Sequence, residues 1–194
     1  IGWWMVASGL VNDRVDVASY RLATHLGLAF AILGALLHLA WEVRLDGPAQ
    51  IQARRRRLPG AMRSATWLAA LVFLQIVLGA LVAGIDAGTY YIDWPLMAGD
   101  FIPPEAFDYV PLWTNAFENP ALVQFNHRIL AYILLVAGVV WWVRQRRLPH
   151  AGLRRRGNLV MGMLVVQALI GIATVLNAAP LHWAILHQAG AILL

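Results

Sequence analysis

The chain contains no cysteine in its 194 residues, and it contains no lysine either. The absence of cysteine excludes disulfide bonds, thiolate-ligated haem, iron–sulfur clusters and cysteine nucleophiles. Charged residues of any kind are scarce, at 13% of the chain, and all 15 basic residues are arginine. Any metal chemistry in this chain must therefore use histidine.

Apolar residues, in contrast, make up 60% of the chain, and the mean hydropathy is +0.64. A soluble domain of this length cannot hide so much apolar surface in its core. A helix crosses the hydrocarbon of a membrane in about 20 apolar residues, and such windows occur at 21–43, 66–85, 121–143 and 158–177. We therefore predict an all-α, polytopic membrane protein built as a helical bundle.

Two further apolar stretches, 1–11 and 183–194, are too short to cross a membrane. The first is interpreted as the last half of a helix and the second as the first half of another. The sequence starts without an initiator methionine or a basic leader. We expect the chain to be an internal portion of a longer protein.

The charges are divided between the segments that connect the apolar windows. Arginines cluster in 44–65 and again in 144–156, whereas 86–120 carries acidic residues and no basic one. Since arginine-rich loops stay in the cytoplasm, 86–120 is placed outside. The net charge of +5 then reflects topology and contact with anionic lipid, and nucleic-acid binding is not expected. The long, aromatic-rich 86–120 segment predicts an ordered cap over the bundle.

Three histidines share one level of the predicted bundle. His25, His127 and His187 each lie five to seven residues inside the outer start of a different apolar segment, or roughly 7 to 10 Å deep. Two neutral imidazoles on facing helices can hold a haem iron from both sides. A hydrogen bond between helices is the alternative for any single intramembrane histidine, but three at one level favour haem ligation. Gly190 and Ala191, one turn after His187, leave room for a flat macrocycle.

Two arginines accompany these histidines. Arg21 lies one turn before His25 on the same helical face, and Arg128 is adjacent to His127. Haem propionates need cations near the aqueous edge, so both arginines are candidate propionate partners. An ion pair with Glu118 or Asp86 is the alternative for Arg128.

The remaining histidines are weaker candidates for a ligand role. His38 lies about 20 Å further along the helix of His25 and would suit a second, inner haem, but no other histidine shares its level. A polar packing role is therefore favoured for His38. His150 is expected to be solvated, and His182 is expected to lie at the membrane interface beside Trp183.

The chain also repeats itself. A ten-residue segment beginning at Gln75, with a glycine four residues later, resembles the segment beginning at Gln167, and the stretch from Gly2 ends in the same manner. The residues around His25 can likewise be aligned with those around His187. This repeat predicts two related four-helix halves. One holds His127 and His187, and the other holds His25 with a partner that precedes Ile1.

Several ordered motifs carry a family resemblance. They are Gly2-Trp-Trp-Met-Val-Ala-Ser-Gly-Leu, Tyr20-Arg-Leu-Ala-Thr-His25-Leu, Ala83-Gly-Ile-Asp-Ala-Gly88, Trp94-Pro-Leu-Met, Ile102-Pro-Pro, Phe117-Glu-Asn, Val123-Gln-Phe-Asn-His127-Arg128 and Leu186-His187-Gln188-Ala. Together they resemble the haem A synthase family, in its alphaproteobacterial and mitochondrial form. The resemblance extends over the whole chain, from the third helix of the family into its eighth.

This resemblance implies an eight-helix, two-bundle membrane enzyme that oxidises the C8 methyl group of haem O to a formyl group by successive hydroxylations. Its haem b cofactor would be held by His127 and His187, with Arg128 nearby, and its substrate haem by His25 with Arg21. The second histidine of the substrate half, and a glutamate important for catalysis, would precede Ile1. No catalytic residue is therefore assigned in this chain.

The same resemblance assigns the parts of the chain, its location and its partners. Residues 1–43 belong to the N-terminal bundle, 44–65 to a basic cytoplasmic loop and 66–194 to the C-terminal bundle. The location is the bacterial plasma membrane, with the histidine level near the periplasmic side. The expected partners are haem O, membrane lipid, haem O synthase and a quinol or other electron donor. Two alternatives remain open from the residues alone: a dihaem b-type cytochrome that accepts electrons from quinol, and a haem transporter.

Overall fold

The computed structural model describes residues 1–9, 17–55 and 57–194, and within these ranges the chain forms helices and no β-strand. The α-helices, numbered in chain order, are α1 (Gly2–Val6), α2 (Ser19–Val43), α3 (Gly47–Arg55), α4 (Pro59–Gly84), α5 (Asn115–Glu118), α6 (Pro120–Arg146), α7 (Ala151–Leu176) and α8 (Leu181–Leu193). The predicted all-α architecture is confirmed. Residues 10 and 11 of the first apolar stretch, and Arg56 of the arginine run, lie outside the described residues.

Four of the described helices, α2, α4, α6 and α7, are long and apolar enough to cross a membrane. Each contains most of one predicted window, so the polytopic membrane fold is confirmed. The helices are longer than the windows at the arginine-rich end, where α4 starts at Pro59 and α7 at Ala151. Proline suits the first turn of a helix and arginine is a good helix former. A hydropathy window leaves out these first turns of α4 and α7 because their residues are less apolar.

The segment 44–65, expected to be a loop, is largely helical. Asp46 precedes α3, and its carboxylate accepts a hydrogen bond from the Ala49 backbone N–H at 2.8 Å. This interaction satisfies one of the free N–H groups at the start of α3. Only a short connection then separates α3 from α4.

The long helices pack as neighbours in the order α2, α4, α6, α7 and α8. Glycines permit the close crossings: a Cβ added to Gly84 would lie 2.9 Å from the Cα atom of Ser19, and one added to Gly138 would lie 2.8 Å from Leu164. Small residues at such crossings let helix backbones approach in a membrane. The outer faces of the long helices are apolar and exposed, and only 6% of the apolar window of α7 is buried within the protein. Lipid is therefore expected to cover these outer faces.

The connection between α4 and α6 folds as the predicted cap. It contains 3-10 turns at Ala87–Thr89, Pro104–Phe107 and Leu112–Thr114, followed by α5. Two buried asparagines hold it together. Asn115 exchanges hydrogen bonds with the backbone of Tyr109 at 2.9 and 2.8 Å, and Asn119 donates to the Glu105 carbonyl at 2.6 Å. Because the Asn119 side chain also caps α6 by accepting from Ala121, the cap is fixed to the helix that carries His127.

Candidate metal centre

The fold brings His127 of α6 and His187 of α8 together. Their ring centroids lie 6.4 Å apart and the ring planes are nearly perpendicular, at 84°. These two residues are 60 positions apart in the chain, so only the packing of the bundle pairs them. The pair is the centre of the candidate site.

Each of the two histidines is contacted by a glutamine from the neighbouring helix. Gln75 of α4 donates from Nε2 to the His127 carbonyl oxygen at 3.0 Å, and the same nitrogen lies 3.1 Å from His127 Nδ1. Gln167 of α7 donates to the His187 carbonyl oxygen at 2.7 Å and lies 3.2 Å from His187 Nδ1. One arrangement therefore occurs twice, once at each histidine of the pair.

A glycine one turn after each glutamine faces the same imidazole. A Cβ added to Gly79 would lie 3.0 Å from His127 Cε1, and one added to Gly171 would lie 2.9 Å from His187 Cε1. Any larger side chain would push the ring away from its helix. Glutamine therefore fixes the orientation of each ring, and glycine provides the space that the ring occupies.

A related contact is present at His25 on α2. The nearest atom to a Cβ added at Gly2 would be His25 Cε1, at 3.5 Å. Gly2 lies in the stretch that the sequence repeat aligns with the two glutamine–glycine helices. A glycine of the preceding helix thus faces all three predicted ligand histidines.

The geometry of the pair fits one iron held between two imidazoles. A metal–imidazole bond is about 2 Å long and the ring centroid lies about 1 Å beyond the nitrogen, so opposed ligands have centroids about 6 Å apart. Metal-bound histidine usually donates its other ring N–H to an oxygen acceptor. Gln75 and Gln167 each keep an amide beside the Nδ1 atom of one ring. The separation of the two rings and these outer contacts would therefore suit two histidines that hold one haem iron.

No larger set of ligands surrounds the pair. Within the described ranges, no group of three or more histidine or acidic side chains is placed to hold a metal ion. Two protein ligands alone are too few for a bare structural ion, which typically takes four. A macrocycle that supplies its own nitrogen ligands suits the site better.

Arg128 is buried and anchors the cap. Its guanidinium donates to the carbonyl oxygens of Tyr91 at 2.7 Å, Asp93 at 2.8 Å and Leu96 at 3.1 Å. The ion pair with Glu118 or Asp86 that the sequence left open does not form, because these backbone carbonyls take the guanidinium donors instead. Arg128 Nε stays buried without a partner among the described residues.

Arg21 contacts α1 through Trp4. It donates to the Trp4 carbonyl oxygen at 2.8 Å, and its guanidinium carbon lies 4.7 Å from the centroid of the Trp4 ring. Such stacking is a typical cation–π contact. The side chain that was predicted to bind a propionate beside His25 thus joins α1 to α2.

Two carboxylates of the cap have shifted pKa values, and one of them, Asp93, is close to Arg128. Burial would raise the pKa of the Asp93 carboxyl, but backbone N–H groups of Ala98 and Gly99 and the charge of Arg128 hold that pKa below its ordinary value. Burial and the hydrogen-bonded carboxylate of Glu105 raise the pKa of Tyr91 to about 12. The hydrogen bond from Tyr91 also lowers the pKa of Glu105. At neutral pH both carboxylates are therefore ionised, and Tyr91 remains a donor.

We expect Arg128→Ala to loosen the cap. Three carbonyl oxygens would lose their donor, and a buried polar group left unpaired costs about 1–3 kcal/mol. Hydrogen–deuterium exchange of peptides from 86–119 should increase strongly. Arg21→Ala is the matched control, because Arg21 donates to α1 and not to the cap. Equal exchange of these peptides in both variants would contradict the anchoring role.

The other histidines have no contact with the pair. His38 is 71% exposed and its Nε2 lies 3.7 Å from a Glu42 carboxylate oxygen, which agrees with a polar role rather than a second haem. His150 is exposed. His182 is exposed, and its ring lies 6.1 Å from the Trp183 ring.

The structure adds residues that the sequence interpretation missed. Gln75 and Gln167, with Gly79 and Gly171, were noticed only as a repeat, although their matched spacing was a signal of a shared role. Gly190 also needs a correction. A Cβ there would clash with Gln167 Oε1, so in this structure its lack of a side chain makes room for the glutamine rather than for a macrocycle.

Comparison with known proteins shows the family of the chain. A family model described as cytochrome oxidase assembly protein (COX15-CtaA) matches residues 1–194. A protein of Dinoroseobacter shibae named heme A synthase is 54% identical over 99% of this chain and 50% of its own length. One of Paracoccus denitrificans with the same name is 50% identical over 100% of the chain and 51% of its own length. The chain spans about half the length of the curated relatives it matches.

No solved structure matches the chain significantly. The family match covers every residue, and the relatives confirm the resemblance that the sequence motifs carry. The chain therefore belongs to the cytochrome oxidase assembly protein family, together with proteins named heme A synthase.

Proposed function

We propose that the protein containing this chain is a haem A synthase, which oxidises the C8 methyl group of haem O to a formyl group by successive hydroxylations. The observation that carries the proposal is the His127–His187 pair, whose rings lie 6.4 Å apart between two glutamine–glycine helices. Relatives with about half of their residues identical to this chain bear the name heme A synthase. The enzyme belongs to the oxidoreductases.

Haem b is the cofactor in this proposal, and His127 and His187 would hold its iron. When bound, it supplies a one-electron redox centre inside the membrane. The protein contributes the rest of the site. Gln75 and Gln167 orient the rings, Gly79 and Gly171 give them space, and the cap held by Arg128 limits the access of water. A dry and preorganised site suppresses side reactions of an oxidised intermediate.

The substrate half of the proposal rests on His25 and Arg21. His25 lies on α2 and faces Gly2 of α1, as the other two histidines face a glycine of the preceding helix. Arg21 and Arg128 each keep a buried Nε without a partner among the described residues, which supports contact with propionates. Residues 1–43 then belong to the substrate bundle, residues 66–194 to the haem b bundle, and 44–65 to the cytoplasmic connection.

The two proposed bundles meet within this chain. Ala23 of α2, Ala80 and Leu81 of α4 and Val123 of α6 share one buried cluster. This cluster is close along the chain to both His25 and His127, so the substrate and cofactor positions would be neighbours. The proposed location is the bacterial plasma membrane, and the distribution of arginine supports an orientation with the histidines toward the periplasm. Haem O synthase and a quinol are the proposed donors of substrate and electrons.

The test is to express the full-length protein in a bacterium that makes haem O and lacks its own haem A synthase. Haem extracted from the membranes should contain haem A, identified by chromatography and mass. A cytochrome that only passes electrons, or a haem transporter, would yield unmodified haem alone. That result, obtained with a folded protein that retains haem b, would disprove the proposal.

A further inference from the structure

A cleft of ≈ 360 Å³ opens between α4 and α6 at the arginine-rich end of the bundle. Arg63 of α4 and Arg144 of α6 lie at its mouth. His127 is on the same helix as Arg144, 17 residues earlier, or about 25 Å away along the axis. The cleft is therefore remote from the histidine pair and needs its own explanation.

The lining of this cleft changes character with depth. On α4 it runs from Arg63 to Trp67 and Leu71, and on the antiparallel α6 from Arg144 to Trp141 and Ala137. Residues three or four apart lie on one face of a helix, one turn below each other. The cleft thus presents a cationic layer, then an indole layer, then an aliphatic layer. This is the order of charge, interface and hydrocarbon in a phospholipid leaflet.

The two arginines of the cleft lack acidic partners within the protein. In the part of the chain that the structure describes, neither Arg63 nor Arg144 forms an ion pair with a carboxylate. Trp141 adds an aromatic wall, but its Nε1 is buried and does not open into the cleft. The donors open to an anion in the cleft are therefore those of the two guanidinium groups.

A second cleft, between α6 and α7, provides an internal comparison. Its volume is ≈ 420 Å³ and it also combines tryptophan with arginine. There, however, Trp142 Nε1 donates to Asn158 Oδ1 at 2.7 Å, and the Arg146 guanidinium stacks 4.9 Å from the Trp142 ring. The tryptophan and the arginine of this cleft are therefore both engaged with groups of the protein. Arg63 and Arg144, in contrast, have neither a carboxylate nor an aromatic partner among the described residues.

We propose that the cleft between α4 and α6 binds the headgroup of an anionic phospholipid. A phosphate oxygen accepts hydrogen bonds from Arg63 and Arg144, and an acyl chain lies along Leu71 and Ala137. Basic pockets between helices at the cytoplasmic side are known to suit such headgroups. A free phosphate ion would use the cationic layer but leave the aliphatic layer uncovered, so the lipid fits the whole cleft.

Native mass spectrometry of the full-length protein tests this proposal, with phosphatidylglycerol as the probe and phosphatidylcholine as the neutral reference. One arginine near an anionic headgroup contributes about fivefold in affinity, so Arg63→Gln with Arg144→Gln should weaken phosphatidylglycerol binding roughly 25-fold. Trp141→Phe makes the aromatic wall of the cleft smaller without a change of charge and should weaken binding by a smaller factor. The matched controls are Arg146→Gln with Arg147→Gln, which remove the same charge, and Trp142→Phe.

Three results would overturn the proposal. The first is an equal loss of phosphatidylglycerol affinity in the Arg63→Gln, Arg144→Gln variant and in the Arg146→Gln, Arg147→Gln control, which would show an effect of net charge alone. The second is binding of phosphatidylcholine by the wild-type protein as strong as its binding of phosphatidylglycerol. The third is displacement of the lipid by inorganic phosphate at the same concentration, which would show a free-anion site. Elution volume and haem content report folding of each variant, and Trp141→Phe tests the site without any change of charge.

Discussion

Replacing His127 or His187 with alanine in the full-length protein should abolish the absorption spectrum of a bis-histidine haem. The two rings lie 6.4 Å apart on different helices, and no third histidine or acidic residue completes a cluster with them in the described part of the chain. Loss of an outer-shell partner of a metal ligand lowers affinity roughly 10–100-fold. Loss of a ligand itself should exceed that range. Absorption spectra and haem quantification of the purified variants measure the effect.

Two other histidines provide matched controls for this prediction. His25→Ala should keep the haem b spectrum but lose haem A formation, because His25 is assigned to the substrate. His38→Ala should keep both, since His38 is 71% exposed and pairs only with Glu42. A His127→Ala protein that retained the wild-type spectrum and haem content would contradict the assignment of the cofactor site.

The membrane helices could be predicted from the sequence because their signal is composition. An apolar window of about 20 residues needs no knowledge of neighbours, and each of the four windows lies largely within one helix. The first turns of α4 and α7 were missed because Gly60 in α4, and Gly152 and Arg154 in α7, are compatible with both helix and loop. Whether such residues continue a helix depends on caps and on packing at its end, which hydropathy does not measure.

The histidine pair could be predicted for a different reason, because the two residues lie at the same depth in the predicted membrane bundle. Once loop charges set the direction of each helix, counting residues placed His127 and His187 at one level. The contacts of Gln75 and Gln167 could not be predicted in this way, because they depend on how far each helix is rotated about its axis. Arg128 shows the same limit. Its partners are backbone carbonyls of Tyr91, Asp93 and Leu96, and their positions depend on the conformation of the cap.

The repeat nevertheless contained the missing information. Gln75 precedes Gly79 by four residues, as Gln167 precedes Gly171, so each pair occupies one face of its helix. The structure shows that this face meets a histidine both times. A repeated polar residue and glycine at helical spacing in a membrane segment therefore indicate a neighbouring functional side chain. Composition alone would class both helices as apolar spans.

Adding a single methyl group at Gly171 should disturb the site more than almost any other small change. A Cβ there would lie 2.9 Å from His187 Cε1, and both residues are held by long helices. Overpacking of this kind costs about 1–3 kcal/mol, whereas alanine in place of glycine in a helix interior is favourable by about 1 kcal/mol. We expect Gly171→Ala to shift the haem spectrum and lower haem occupancy. Gly79→Ala should do the same through His127.

Gly162 on the same helix is the matched control, because a Cβ added there meets nothing within 4 Å. Gly162→Ala should keep the wild-type haem spectrum and raise the thermal midpoint slightly, since it gains helix propensity without a clash. The difference between the two alanine variants then isolates the contact with His187. If Gly171→Ala matched Gly162→Ala in spectrum, haem content and thermal midpoint, the glycine would not be shaping the ligand position. The space beside each imidazole would then have to be set by the glutamines alone.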